Sequence, residues 1–140
     1  MSGVNNTIGT DSDGTNDLTE GNVISGNLGD GIRLADGLFA GTNHVIAGNF
    51  IGVDFTGNAA LGNAGAGVRI VGSSGTVIGG GAVDERNVIA DNAEAGIAFE
   101  QSATGNTVSG NYIGVAANGV TQFGNLSGIC LLYTSPSPRD

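Results

Sequence analysis

The amino-acid sequence predicts an all-β chain wound as a right-handed, single-stranded parallel β-helix, a solenoid of about 5–6 coils of roughly 19–22 residues each. Three observations lead there: a composition suited to short strands and tight turns, a family of short segments that recurs along the chain, and apolar residues at near-constant steps.

The composition comes first. The chain has 140 residues, of which 27 are Gly, none Trp and none Lys; 39% are apolar and 12% charged. Ordinary domains carry about 7% Gly and about 25% charged residues. Low charge with high Gly suggests a flexible tract, but the recurrent Val and Ile argue for a buried core. Gly is costly inside helices whereas Val, Ile and Thr suit strands, so many short strands and no long helix are expected.

The recurrent segments are NVISGN at 22–27, HVIAGN at 44–49, NVIADN at 87–92 and NTVSGN at 106–111. Beside them stand GIRL at 31–34, GVRI at 67–70, GIAF at 96–99 and GICL at 128–131, and a third element, FIGV at 50–53 and YIGV at 112–115. The two halves superpose with Asn22 on Asn87 and Asn63 on Asn125, offsets of 65 and 62, read as three coils per long repeat.

One apolar column then runs Ile24, Ile46, Val68, Ile89, Val108, Ile129 at nearly even steps, each step read as one solenoid turn. A second runs Ile8, Ile32, Ile51, Ile78, Ile97, Ile113, and a looser third holds Phe39, Leu61, Val83 and Phe123. Three columns imply three strands per coil around a narrow core. At about 4.8 Å per coil the rod would stand on the order of 25–30 Å tall. Asn27, Asn49, Asn92 and Asn111 each close a strand where the chain turns. Asn tolerates the left-handed conformation such a corner needs, and stacked amides can form a hydrogen-bonded ladder. A second ladder is read through Asn22, His44, Asn87 and Asn106, with His44 standing in for Asn.

The combination of N-x-[IV]-x-G-N, G-[IV]-x-[ILF] and the FIGV or YIGV segments resembles the parallel β-helix repeats of the pectin-lyase-like superfamily. It is most similar to tandem repeats of large bacterial secreted or surface proteins. The resemblance covers residues 5–129 and implies an extracellular or cell-surface setting, with neighbouring coils of a longer parent chain as the first partner. Residues 1–130 form the β-helix fragment in this reading. Residues 131–140, which carry both prolines, abandon the repeat and resemble translated vector or adapter sequence, so they are set outside the fold.

Several functions are disfavoured. A net charge of −9 with four arginines and no lysine opposes phosphate backbones and anionic membranes. The sequence shows no signal peptide and no apolar run of the length a spanning helix needs, about 18 residues. Cys130 has no internal disulfide partner, and no Cys/His spacing suits zinc.

The candidate chemistry is thin. Asp11, Asp13 and Asp17 have the oxygen density of a calcium loop, and calcium is the one cofactor the sequence suggests, but they have neither the EF-hand spacing nor a repeat of it. Asp30, Arg33, Asp54 and Arg69 are the residues from which a polysaccharide site could be built, Arg33 and Arg69 at outward positions of GIRL and GVRI. Val23, Val45, Val88 and Thr107 point outward on the other strands, an inert face. The paired aspartates, Gly-His-Gly and Arg-x-Lys motifs of pectin-degrading relatives are missing, and fold alone confers no activity. The expectation is a non-catalytic structural or adhesive module with no catalytic residues. The alternatives are a fragment of a polysaccharide lyase, hydrolase or epimerase, or a glycan-binding module.

Overall fold

A computed structural model describes residues 3–35 and 41–132. Across them the chain is a parallel β-helix of twelve short strands in three sheets, each sheet taking one strand from every coil. The first sheet stacks β1 (Thr7–Gly9), β4 (Val45–Ala47), β7 (Val77–Gly79) and β10 (Thr107–Ser109). The second stacks β2 (Val23–Ile24), β5 (Phe50–Ile51), β8 (Val88–Ile89) and β11 (Tyr112–Ile113). The third stacks β3 (Ile32–Ala35), β6 (Val68–Val71), β9 (Ala95–Glu100) and β12 (Ser127–Leu132). Every strand pair is parallel. A 3-10 turn at Asp17–Thr19 is the only helical element among the described residues.

These residues make four coils, fewer than the 5–6 expected, and each coil is longer. In the first sheet the inward column is Ile8, Ile46, Ile78, Val108; in the second, Ile24, Ile51, Ile89, Ile113; in the third, Ile32, Val68, Ile97, Ile129. Successive members are unevenly spaced along the chain, close from Ile89 to Ile113 and far apart from Ile8 to Ile46. The near-even column read from the sequence visits every second strand, so each of its steps covers two-thirds of a coil. All three strands carry the same inward Ile or Val, and spacing alone cannot say which stacks on which. Four coils at about 4.8 Å make a rod on the order of 15–20 Å, not 25–30 Å.

The third column read from the sequence is likewise replaced. Leu61 and Val83 are exposed loop residues, Phe123 is half-buried in a satellite cluster, and Phe39 lies outside the described residues. The main core consists of the inward columns together with Leu34, Ile70 and Phe99. The last strand continues through Leu132, whose partner is Glu100, so Leu131 and Leu132 belong to the sheet that residue 130 was expected to end. Residues 133–140 lie outside the described set.

The long repeat spans two coils rather than three, and loop length explains why. Between the first and second sheets the connection is long in coils one and three (residues 10–22 and 80–87) and short in coils two and four, at Gly48-Asn49 and Gly110-Asn111. Between the second and third sheets the order reverses, with long turns in coils two and four. Those two turns, closed by the bridges Val53–Ala60 and Val115–Gln122, meet across the short corner of coil three. There Ala117 N–H donates to Gly57 O and Asn118 N–H to Asn58 Oδ1.

Two asparagine ladders line the corners, with memberships that differ from the expected ones. Asn22, Asn49, Asn87 and Asn111 form one; Asn27, Asn63, Asn92 and Asn125 the other. Asn49 and Asn111 therefore do not share a ladder with Asn27 and Asn92. Nor do the ladder asparagines take the left-handed conformation: the preceding Gly26, Gly48, Asp91 and Gly110 do, at φ between 59° and 74°. Glycine relieves the steric cost of that bend, which frees the asparagine to turn its amide into the stack. His44 sits at a third corner, equivalent to Asn6, Thr76 and Asn106 rather than to Asn22 and Asn87.

Candidate functional site

Three places on the coil surface gather chemistry. The first is an ion cluster on the outward face of the third sheet. Arg33 and Arg69 are register neighbours there, and their side chains point away from the core because Ile32, Leu34, Val68 and Ile70 occupy the inward positions. Asp30 precedes β3. Its Oδ2 accepts from Arg69 Nε at 2.9 Å and from Arg33 Nη1 at 3.2 Å, and its Oδ1 accepts from Ala66 N–H at 2.8 Å. Arg69 also pairs with Glu94 through Nη2 and with Glu100 through Nη1. One guanidinium thus serves three carboxylates, and its side chain is only 14% exposed.

The electrostatics follow from that geometry. Burial alone would raise the Asp30 carboxyl, but hydrogen bonds from Arg69 and the Ala66 amide outweigh it and hold Asp30 below its ordinary value. The same Asp30 contact, opposed by burial and reinforced by Glu100 and Glu94, raises Arg69. Asp30 is thereby held ionised at neutral pH, the wrong state for a general acid.

Asp30, Arg33 and Arg69 are therefore brought together, and Asp54 is not. Asp54 opens the long turn of coil two, where Oδ1 accepts from Thr56 Oγ1 at 2.6 Å and from the Thr56 and Ala59 amides. These bonds, the Thr56 hydroxyl foremost, lower its carboxyl. Glu94 and Glu100 are the members that sequence reasoning missed. They flank GIAF as Asp30 and Arg33 flank and enter GIRL, and stacking these segments in coil register would have placed all five groups on one face.

The second place is the acidic loop of coil one. The carboxylates of Asp11, Asp13 and Asp17 each offer an oxygen within 4.8 Å of the others. Each also closes a turn: Asp11 Oδ1 accepts from Asp13 N–H, Asp13 Oδ1 from Thr15 N–H, and Asp17 Oδ2 from Gly14 N–H. Asp17 Oδ1 is buried and has no hydrogen-bond partner among the described residues. Calcium takes 6–8 oxygens, so three carboxylates would supply part of such a shell.

The third place was not anticipated from the sequence. The outward column of the second sheet is Val23, Phe50, Val88, Tyr112, and the long loops on either side wall it into a trough. Val88 is consequently buried rather than part of an inert exposed face. With Val53 and Ala90 it forms a satellite cluster against Phe50, Tyr112, Ala117 and Phe123. At the acidic-loop end the trough opens into a cleft of about 330 Å³ lined by Phe50, Phe55, Leu18, Val83, Asp84 and Arg86, among others. The Arg86 guanidinium lies 4.2 Å from the centre of the Tyr112 ring, within cation–π range, and Nε donates to Gly110 O.

No family model matches this chain, and neither does any curated protein or solved structure. Function consequently rests on the geometry itself. His44 is buried, with Nδ1 facing the Asn6 amide groups at 3.3 Å and Nε2 without a hydrogen-bond partner among the described residues. It is walled in at a corner, where buried Thr76 holds the equivalent position of the next coil.

Proposed function

We propose that this chain is a non-catalytic structural and adhesive β-helix module of a larger extracellular or cell-surface protein, of the pectin-lyase-like repeat kind. The observation that carries this reading is the closed ion cluster. The charged groups best placed for polysaccharide chemistry, Asp30, Arg33 and Arg69, are committed to one another and to Glu94 and Glu100. A glycosidase or lyase needs a carboxyl or base able to exchange a proton near working pH. Asp30, held ionised by Arg69, is unsuited to act as the acid, and its oxygens are already taken by Arg69, Arg33 and the Ala66 amide.

The test is incubation of the chain with acidic and neutral polysaccharides, followed by measurement of reducing ends and unsaturated uronate ends. Neither should accumulate above the buffer control. Turnover that disappears in Asp30→Asn would overturn the reading in favour of an enzyme fragment.

A glycan-binding role draws on a separate observation, the trough. Sugar rings stack on aromatic faces while charged and amide groups take their hydroxyls. Phe55 is exposed beside half-buried Phe50, with Asp84 and Arg86 at the same cleft. Retention on a polysaccharide column that Phe55→Ala abolishes would support adhesion through this trough. Equal retention of both proteins would place adhesion elsewhere.

A further inference from the structure

Apolar side chains stand open to solvent around the cleft at the acidic-loop end of the trough. Leu18 and Val83, from the loops that enter the second sheet in coils one and three, are 81% and 70% exposed. Phe55, from the turn that leaves that sheet in coil two, is 79% exposed, and half-buried Phe50 belongs to the floor. Single apolar residues scattered on a surface need no explanation, but these come from three coils and gather on one concave site, which marks a place of contact.

Charge selects the occupant. The two loops, residues 10–22 and 80–87, carry Asp11, Asp13, Asp17, Glu20, Asp84 and Glu85 against Arg86 alone. Ser12 Oγ donates to Glu85 Oε1 and ties the loops into one acidic rim. The ion pairs among the described residues all lie in the third-sheet cluster, so none of these carboxylates has a basic partner there. In the cleft itself, the half-buried Asp84 carboxylate makes no hydrogen bond among the described residues, and Asp17 Oδ1 is buried without one. Arg86 is already turned onto Tyr112, with Nε given to Gly110 O. Ionised carboxylates only accept hydrogen bonds, and partial burial without a partner is costly. The occupant that relieves this is a cationic donor with an apolar body.

We propose that the cleft docks a basic segment of a partner protein, through an arginine whose stem lies on Phe50 and Phe55 and whose guanidinium meets Asp84. An apolar neighbour of that arginine packs on Leu18 and Val83. Arginine suits the site because its planar head both stacks on aromatic faces and takes carboxylates. The volume of about 330 Å³ is at the small end for ligand pockets and fits a side-chain anchor rather than the face of a folded domain. A glycan in the same trough brings Asp84 no cation, and an acidic glycan would be repelled by the rim. This inference rests on the adhesive reading above and names its partner.

The test is fluorescence anisotropy of the full chain with a labelled short peptide of alternating arginine and leucine. A second peptide carries citrulline in place of arginine, which keeps the shape and removes the charge. The arginine peptide should bind, and the citrulline peptide should bind more weakly by about tenfold or more. Asp84→Asn and Phe55→Ala should each weaken the arginine peptide by about tenfold. Glu94→Gln removes the same charge from the third sheet and should leave binding unchanged. Phe55 is exposed and the Asp84 carboxylate unpartnered, so both variants should keep the wild-type circular dichroism. Equal weakening by Asp84→Asn and Glu94→Gln would reduce the effect to the net charge of −9 and overturn the proposal. Equal binding of the two peptides overturns it as well, as does no binding of either. A neutral oligosaccharide that binds wild type but not Phe55→Ala, with no peptide bound, would make the cleft a glycan site instead. The adhesive reading fails separately, on the polysaccharide turnover described above.

Discussion

Asn49 is fully buried, and its side chain reaches three coils. It accepts from the Asn22 amides, donates to Ile8 O at 2.8 Å, and donates to Asn87 Oδ1 at 3.0 Å. A buried polar group that loses its partner costs about 1–3 kcal/mol. Asn49→Ala strands groups on both neighbouring coils, so it should lower stability by about 3 kcal/mol in a denaturant titration. Asn22→Ala, at the exposed end of the same ladder, should cost less than about 1 kcal/mol, because water replaces what is lost. Equal losses would show that the amides act as independent turn residues. Asp30 supplies the pH dependence. Its folded carboxyl lies below the unfolded value of 3.8, so its contribution is complete above that value and fades as pH falls through the folded one. Thermal melts between neutral and strongly acidic pH should therefore show a loss at the acid end that Asp30→Asn diminishes.

At the scale of strands, each element is short and gains its stability from the strands above and below. Ile46 on β4 is the clearest instance, fully buried between Ile8 and Ile78 in register. Ile46→Asp would put an unpaired charge into the narrow core, and the neighbouring coils should fray or unfold. Circular dichroism and melting of this variant should both depart from wild type, and unchanged curves would contradict the register. Corner geometry constrains the strands as tightly as the core does. Gly52 takes φ +86°, and a Cβ there would stand 1.9 Å from Ala90 O, which explains the glycine of FIGV immediately after the inward Ile51.

Across the whole molecule, stability is distributed coil by coil, since the strands of each coil pair only with those of its neighbours and just the long loops reach further, as where Ala117 meets Gly57. The inner coils have partners on both sides, and their inward residues Ile46, Ile51, Val68, Ile78, Ile89 and Ile97 are all fully buried. In dilute solution, hydrogen exchange should be slowest in β4–β9 and faster in β1–β3 and β10–β12. Uniform protection would mean that the rod opens as one cooperative unit.

The all-β parallel solenoid, the inward Ile and Val positions, the amide corners, and the kinship of GIRL, GVRI, GIAF and GICL as one set of strands are legible in the amino-acid sequence, whereas the columns read from it split that set, with Ile32 and Ile97 in one and Val68 and Ile129 in the other. These features are local: alternation along a strand, a glycine that bends left-handed, an asparagine that follows it. Which strand lies on which is a property of the assembled coils. The inward residues of all three sheets are alike, and loops of unequal length separate equivalent strands by unequal stretches of chain. A nearly constant step therefore fitted the pattern while crossing from sheet to sheet. Four coils, a two-coil repeat and the true ladder partners follow only once stacked amides and packed side chains fix the register. The same holds for the site: Glu94 and Glu100 join Asp30, Arg33 and Arg69 because β3, β6 and β9 pair, and Asp54 leaves them because its turn lies at another corner. The trough emerges last, since long loops wall the second sheet only when their alternation between coils is set in three dimensions.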